Sequence, residues 1–163
     1  MHTDMVAVHA ALDQLCDPEI PVVSLREMGI LRDVHVSDTG VEVVITPTYS
    51  GCPAMEQIHD DILQSLQQLG VQGQVKTQLA PAWTTDWMSE STKSKLKTYG
   101  IAPPQAHTKQ RIGALISDAP TEVPCPQCNS VNTKLISEFG STACKSLMKC
   151  NDCLEAFDYF KCI

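Results

Sequence analysis

Two pairs of cysteines constrain the fold of this chain more than any other feature. Cys125 and Cys128 form one C-x2-C motif, Cys150 and Cys153 form a second, and 21 residues separate the two motifs. Each motif turns two sulfurs toward one point, and the intervening residues are long enough for a β-hairpin that brings the motifs together. The spacing therefore predicts a zinc ribbon. Zinc is the first choice of metal, although rubredoxin-like iron or an iron–sulfur cluster also accepts four cysteines.

The segment that carries these motifs is too small to fold on its own core. Residues 125–163 contain six of the eight cysteines of the chain. Burial of so few apolar side chains does not offset the entropy of ordering them, so a bound metal is expected to supply the missing stability. Residues 101–124 mix Pro, Ala, Gln, Thr and Ser without clear periodicity, which indicates a linker. We therefore predict a first domain over residues 1–100, a linker over 101–124 and a ribbon over 125–163.

The first hundred residues alternate between helical and strand periodicity. The first helix is expected to start behind Thr3 as its N-cap, and the second is expected to start at Cys52-Pro53. The order of helix, hairpin, helix, strand and helix predicts an α/β sandwich of ordinary domain size. The remaining predicted bounds are a first helix over 3–16, strands over 31–36, 41–45 and 75–79, and a last helix over 86–99.

Charge and hydropathy exclude several classes of partner. The formal net charge is -7, and residues 1–100 hold thirteen acidic and six basic side chains. A protein that follows a nucleic-acid backbone needs a basic surface, so nucleic acid is not an expected partner. The sequence shows no secretory signal and no apolar run long enough to cross a bilayer, so we expect a cytoplasmic protein without a membrane partner. In a reducing compartment the cysteines are expected to be thiols or metal ligands.

Cys52 occupies the first turn of a predicted helix. Unpaired amide groups and the positive end of the helix dipole favour the thiolate there, so the position predicts a lowered pKa and an accessible thiol. The alternative is a cysteine that merely packs under its loop. Cys144 and Cys162 leave a similar choice between small buried side chains and a second, labile metal site. Cys16 has no partner motif and is expected to be a core or boundary residue.

Three stretches around Cys52 carry a family resemblance. Together they resemble the small iron–sulfur-assembly domain of SufT type over residues 3–79. The resemblance implies that Cys52 handles iron or a cluster, that Asp17 and Glu19 form the acidic loop, and that Thr46 and Thr48 belong to the supporting loop. The stretches are Asp17-Pro-Glu-Ile-Pro21, Met28-Gly-Ile-Leu31 and Thr46-Pro-Thr-Tyr-Ser-Gly-Cys-Pro53.

Further motifs extend a resemblance over both modules. They are Trp83-Thr-Thr-Asp-Trp-Met88, Tyr99-Gly-Ile-Ala-Pro-Pro104, Cys125-Pro-Gln-Cys128, Glu138-Phe-Gly-Ser-Thr-Ala-Cys-Lys145 and Phe157-Asp-Tyr-Phe-Lys-Cys162. With them the chain resembles the D-subunit family of bacterial 1,2-phenylacetyl-CoA epoxidase systems. The resemblance implies a non-catalytic accessory subunit in aerobic phenylacetate catabolism, acting in maturation or in metal or iron–sulfur delivery, with oxygenase and reductase subunits as partners. The alternative is a structural adaptor whose ribbon docks those subunits without handling iron.

Catalytic roles within such a system lack their motifs. A bundle-type di-iron site needs two E-x-x-H motifs and two further carboxylates, whereas the sequence offers only Glu56-Gln-Ile-His59. No G-x-G-x-x-G loop indicates a dinucleotide site. A hydrolase that used Cys52 would need a paired base, and the sequence alone does not place a histidine beside it.

Overall fold

The computed structural model describes residues 4–105 and 122–161. The chain divides into two compact units at Thr92/Lys93. Most of the expected linker, residues 106–121, lies outside the described residues, while Ile101–Ala102 at its start form a strand. Within the described residues no helix is long and apolar enough to cross a membrane.

The first unit is built on a three-stranded sheet with strand order β1-β2-β3. Strands β1 and β2 are an antiparallel hairpin, and β3 is parallel to β2. A parallel neighbour requires a crossover, and α3 provides it, so the chain passes from the end of β2 through the Cys52 loop into α3. The elements are α1 (Met5–Leu12), α2 (Leu25–Met28), β1 (Leu31–Ser37), β2 (Gly40–Ile45), α3 (Ala54–Gln68), β3 (Gly73–Thr77) and the start of α4 (Glu90–Tyr99).

Apolar periodicity explains how these elements pack. On β2, Val41, Val43 and Ile45 share one face and are buried, as their alternation predicts. On α3, a buried stripe of Ile58, Ile62 and Leu66 recurs every four residues. Helix α3 packs against α1 and β3. Leu66 approaches Gly73 of β3 so closely that a Cβ at this glycine would lie 2.3 Å from the leucine Cδ1, which fixes the helix against the strand.

Several element boundaries differ from the predicted ones. Helix α1 is capped by Asp4, whose carboxylate accepts from the backbone N–H groups of Val6 and Ala7, and the expected cap Thr3 lies outside the described residues. Residues 85–87 form a 3-10 turn, so α4 starts at Glu90 rather than at residue 86. Helix α2 was not predicted because its four residues are too few to show periodicity.

The second unit contains a four-stranded sheet with strand order β4-β7-β6-β5. Strands β5, β6 and β7 form an antiparallel meander, and β4 pairs parallel with β7. Two of the predicted metal ligands belong to the small core of this unit. The core consists of Ala102, Val123, Cys125, Met148, Cys150, Phe157 and Tyr159. The strands are β4 (Ile101–Ala102), β5 (Thr133–Ser137), β6 (Lys145–Cys150) and β7 (Ala156–Phe160).

Candidate metal-handling sites

The structure brings the sulfurs of Cys125, Cys128, Cys150 and Cys153 to within 4.8 Å of one another. The Cys125 and Cys153 sulfurs are 3.7 Å apart, and those of Cys128 and Cys150 are 3.6 Å apart. Four thiolates around one ion with metal–sulfur bonds of about 2.3 Å stand roughly 3.8 Å apart at tetrahedral geometry. The donor set and its dimensions therefore fit a single tetrahedral metal ion, and this cysteine quartet is the only group of three or more His, Cys, Asp or Glu ligands among the described residues.

Backbone N–H groups prepare these sulfurs for a cation. The N–H of Cys153 donates to the Cys150 sulfur, and with the N–H of Asp152 it lowers the pKa of Cys150 to about 7. The N–H of Glu155 favours the Cys153 thiolate, but desolvation and the neighbouring sulfurs prevail and raise the pKa of Cys153 to about 12. Four crowded thiols do not all ionise alone, so a bound cation is what makes four thiolates compatible.

Polar side chains join the two knuckles of the ribbon, and the cysteine motifs alone do not identify them. Ser130 and Asn132, just after the first knuckle, both donate side-chain hydrogen bonds to the Asp152 carboxylate in the second knuckle. The residue after each knuckle, Asn129 or Leu154, has a positive φ of 61° or 66°. Asparagine tolerates this left-handed backbone conformation better than most residues. The asparagine directly after Cys128 was therefore a signal in the sequence that the chain turns there, next to the polar side chains that join the knuckles.

The second candidate site is the loop around Cys52 in the first unit. It follows β2 directly, and the backbone N–H of Ala54 at the start of α3 donates to the Cys52 sulfur. The side chain of Tyr49, which the sequence pattern did not single out, also hydrogen-bonds this thiol. The amide contact at the helix start is the interaction that the sequence predicted.

The predicted lowering of the Cys52 pKa is wrong. Desolvation by burial is the largest influence and raises the pKa, and it outweighs the hydrogen bonds from Ala54 and Tyr49. The carboxylates of Glu19 and Asp17 raise the pKa further because they disfavour a nearby thiolate. The thiol is also only partly exposed. Loop sequence alone did not reveal how much of the thiol the fold covers.

The acidic loop lies close enough to Cys52 for its charges to act on the thiol. Asp17 is buried, and its Oδ1 accepts from the backbone N–H groups of Glu19 at 2.8 Å and Ile20 at 3.0 Å, which holds the loop in shape. Thr46 and Thr48 are buried in the loop that leads to Cys52. The Thr46 hydroxyl has no hydrogen-bond partner among the described residues, which is costly for a group only 1% exposed.

The other predicted candidates do not join these sites in the described structure. Cys144 is buried, with its sulfur 3.0 Å from the Thr142 hydroxyl, and it lies outside the quartet. Cys162 lies outside the described residues, so a second site that includes it remains a prediction. Cys16, which was expected to be a core or boundary residue, is exposed. His59 faces its neighbour Asp60 at 3.4 Å, as expected for a polar helix face.

Comparison with known proteins places both units in one family. The chain is 48% identical over 157 residues to the D-subunit of the "Putative 1,2-phenylacetyl-CoA epoxidase" of Escherichia coli (strain K12), covering 96% of this chain and 92% of that protein. The chain belongs to this D-subunit family. The family model described as the PaaD zinc beta ribbon domain matches residues 113–161, and the model described as an iron-sulfur cluster assembly protein matches residues 6–77.

The first unit of this D-subunit homologue also has relatives of its own. It is 38% identical over 84 residues to the protein called "Fe-S protein maturation auxiliary factor" of Porphyromonas gingivalis (strain ATCC BAA-308 / W83), covering 49% of this chain and 78% of that protein. A solved structure of a DUF59 domain from Bacillus anthracis is similar with a TM-score of 0.50 and 27% identity, covering 55% of this chain and 87% of that chain. The predicted α/β fold and the predicted family are confirmed.

The raised pKa of Cys52 leads to a labelling prediction. A thiol pKa above its ordinary value leaves less thiolate at neutral pH, so we expect Cys52 to be alkylated more slowly than cysteine in an unfolded peptide, with a rate that rises as pH approaches its pKa. Glu19→Gln removes one of the charges that raise the pKa, so labelling at pH 7 should accelerate on the order of threefold. Peptide-resolved mass spectrometry of the labelled protein measures both rates.

A matched control for this prediction lies on the first turn of α3. Glu56→Gln removes an exposed carboxylate near the helix start, but this carboxylate is not among the charges acting on Cys52. In the Glu56→Gln variant, Cys52 should therefore be labelled at the same rate as in the unmodified protein. Equal acceleration by both variants would contradict the assignment of Glu19 as a neighbour of the thiol.

Proposed function

We propose that this D-subunit homologue matures the phenylacetyl-CoA epoxidase by handling iron or an iron–sulfur cluster at Cys52. The observation that carries the proposal is the juxtaposition of one partly buried thiol with the acidic loop of Asp17 and Glu19. The relatives of the same unit that are named Fe-S protein maturation auxiliary factors support this assignment. Iron or a cluster is here the cargo, and the epoxidase is its destination.

The electrostatics of the Cys52 loop suit a carrier. A carrier has to hold its cargo and then release it, so a site with one thiolate is better suited than a closed site with four. The carboxylates of Asp17 and Glu19 disfavour the bare thiolate, but a cation bound at the sulfur would reverse that effect by attracting all three groups. Protonation of Cys52 then competes with the cargo and favours release.

For the ribbon we propose a structural zinc ion. The close spacing of the four sulfurs supports a mononuclear site, because a cluster separates its terminal thiolates to on the order of 6 Å. Zinc has no redox chemistry and prefers four tetrahedral ligands in closed structural sites. When bound, it cross-links the two knuckles, and the protein supplies the sulfurs and their N–H donors.

The proposed partners are the other epoxidase subunits, its oxygenase and reductase components, in the reducing cytoplasm. An adaptor that docks these subunits without handling iron is the second candidate. The partial burial of Cys52 favours this adaptor role, because a thiol that is only partly exposed is less accessible to a metal ion or cluster. The two functions differ in whether the finished epoxidase still needs this protein.

An assay with preloaded epoxidase separates the two functions. If this chain acts in maturation, epoxidase subunits that already carry their metal centres should turn over at the same rate with or without it. Addition of the protein to subunits that lack iron should restore activity only when iron is also supplied. A requirement for stoichiometric amounts of this protein in the preloaded assay would contradict maturation and support the adaptor.

A further inference from the structure

Strand β5 forms an edge of the ribbon sheet, and no described strand pairs with its outer side. Leu135 and Ile136 of this strand are each 51% exposed, and Phe139 just beyond it is 64% exposed. Edge strands expose unpaired backbone groups, and soluble proteins usually protect such edges with charges or short length. Strand β5 is short and carries one such charge, Lys134, but its three exposed large apolar side chains within five residues still make this edge a candidate docking surface.

The charged groups of this edge are Lys134, Lys149 and Glu138, and Lys161 Nζ lies 4.7 Å from the centre of the Phe139 ring, so positive charge is in excess. Lys134 on β5 stands directly opposite Lys149 on β6, and neither forms an ion pair within the part of the chain that the structure describes. Like charges directly opposite each other destabilise an antiparallel pair. The Lys134–Lys149 pair therefore weakens the isolated ribbon. An anionic group of a partner that lies between or beside the two lysines would relieve this repulsion.

We propose that the β5 edge binds an extended acidic and apolar segment of another epoxidase subunit as an added strand. The added strand would pair with the backbone of residues 133–135, before the bulge between Leu135 and Ser137 interrupts the register. Its carboxylate would lie near Lys134, and its apolar side chains would cover Leu135 and Ile136. The identity of the partner rests on the proposed function.

Charge argues against two other occupants of this edge. A second copy of the chain, paired antiparallel through the same residues 133–135, would place Lys134 opposite the Lys134 of the other copy and add to the repulsion. The segment 106–121 of the same chain holds Lys109 and Arg111 but only one acidic residue, Asp118. Neither provides the excess of negative charge that the lysine pair selects.

The test measures binding of the full-length, metal-loaded protein to the other epoxidase subunits purified together. We expect Lys134→Glu to weaken the Kd at least about tenfold, because charge reversal replaces attraction by repulsion. Lys134→Arg keeps the charge and should bind within about twofold of the unmodified protein. The matched control is Lys76→Glu on β3, an exposed lysine on an edge strand of the other sheet, and it should bind normally.

This charge reversal does not threaten the fold. The new carboxylate would face Lys149, so Lys134→Glu should melt at the same or a higher temperature than the unmodified protein. Weaker binding by a more stable variant is a result that a loss of folding cannot produce. Raised salt should weaken binding of the unmodified protein, and hydrogen exchange at β5 should slow when the subunits bind.

Three results would overturn the inference: no binding of the unmodified protein, equal binding by Lys134→Glu, or protection, in the isolated monomer, of those β5 amides that do not pair with β6. These failures are distinct from failure of the proposed function. Cys52→Ser should bind like the unmodified protein, because Cys52 is not part of β5. If Lys134→Glu loses binding while Cys52→Ser still delivers iron normally, docking at β5 stands and the role of Cys52 fails.

Discussion

Stripping the ribbon of its metal should unfold the second sheet and leave the first one intact. Two of the seven residues in the ribbon core are quartet cysteines, so loss of the metal removes the cross-link and leaves two crowded core thiols without the ion that holds them together. Structural zinc contributes about 10–16 kcal/mol of apparent binding free energy in small zinc modules, which exceeds the stability of most domains. Strong chelation should therefore raise hydrogen-exchange rates in β5, β6 and β7 by several orders of magnitude, while β1, β2 and α3 keep theirs.

Substitutions sharpen this prediction. Cys150→Ser removes a buried ligand and should reduce bound metal from one ion per chain to nearly none. Cys144→Ser is the matched control, since Cys144 is also buried but lies outside the quartet, and it should keep the metal at a cost of about 1 kcal/mol. Unchanged exchange in β6 after complete removal of the metal would show that the ribbon folds without it.

Replacing Cys52 by serine should leave the protein folded and its ribbon metal in place, but the epoxidase in the same cells should contain much less iron. A serine hydroxyl does not ionise at neutral pH and is a poor ligand for iron compared with a thiolate. Epoxidase isolated from cells that carry Cys52→Ser should contain at least about tenfold less iron or cluster. Metal analysis of both purified proteins measures the effect, and ribbon metal serves as the internal reference.

The control for this experiment is the other free cysteine of the first unit. Cys16 is exposed but does not appear among the groups that act on Cys52, so Cys16→Ser should deliver iron normally. The variant Asp17→Asn keeps an acceptor for the N–H groups of Glu19 and Ile20 while it removes the charge. Intermediate iron loading is expected for it. Normal iron loading by Cys52→Ser would remove the thiol from the mechanism.

The metal quartet was predictable because its signal is local. Each pair of cysteines is three positions apart, so the turn between Cys125 and Cys128 brings their sulfurs together without help from the rest of the chain. The periodicity of β2 and α3 likewise predicted their buried faces. Apolar residues recur every two positions around Val43 on β2 and every four positions from Ile58 on α3.

The features that the sequence did not reveal depend on distant parts of the chain. The pKa of Cys52 reflects burial and the charge of Glu19, and the two residues are separated by a hairpin and a short helix. Strand β4 has only two residues and forms through its pairing with β7, which lies more than fifty positions away. Such strand pairings depend on tertiary packing, so they cannot be predicted from the local propensity of the residues involved.

The division of the chain at Thr92/Lys93 sets an order of events during synthesis. The Cys52 loop belongs wholly to the earlier unit, whereas Cys153, the last ligand of the quartet, follows Thr92 by 61 residues. At about 5–20 residues per second, roughly 3–12 s pass between completion of the first unit and the appearance of that ligand. The Cys52 loop is therefore complete before the quartet is, and the burial and carboxylates that raise the pKa of Cys52 limit the capture of stray metal ions by its thiol until a cargo is delivered to it.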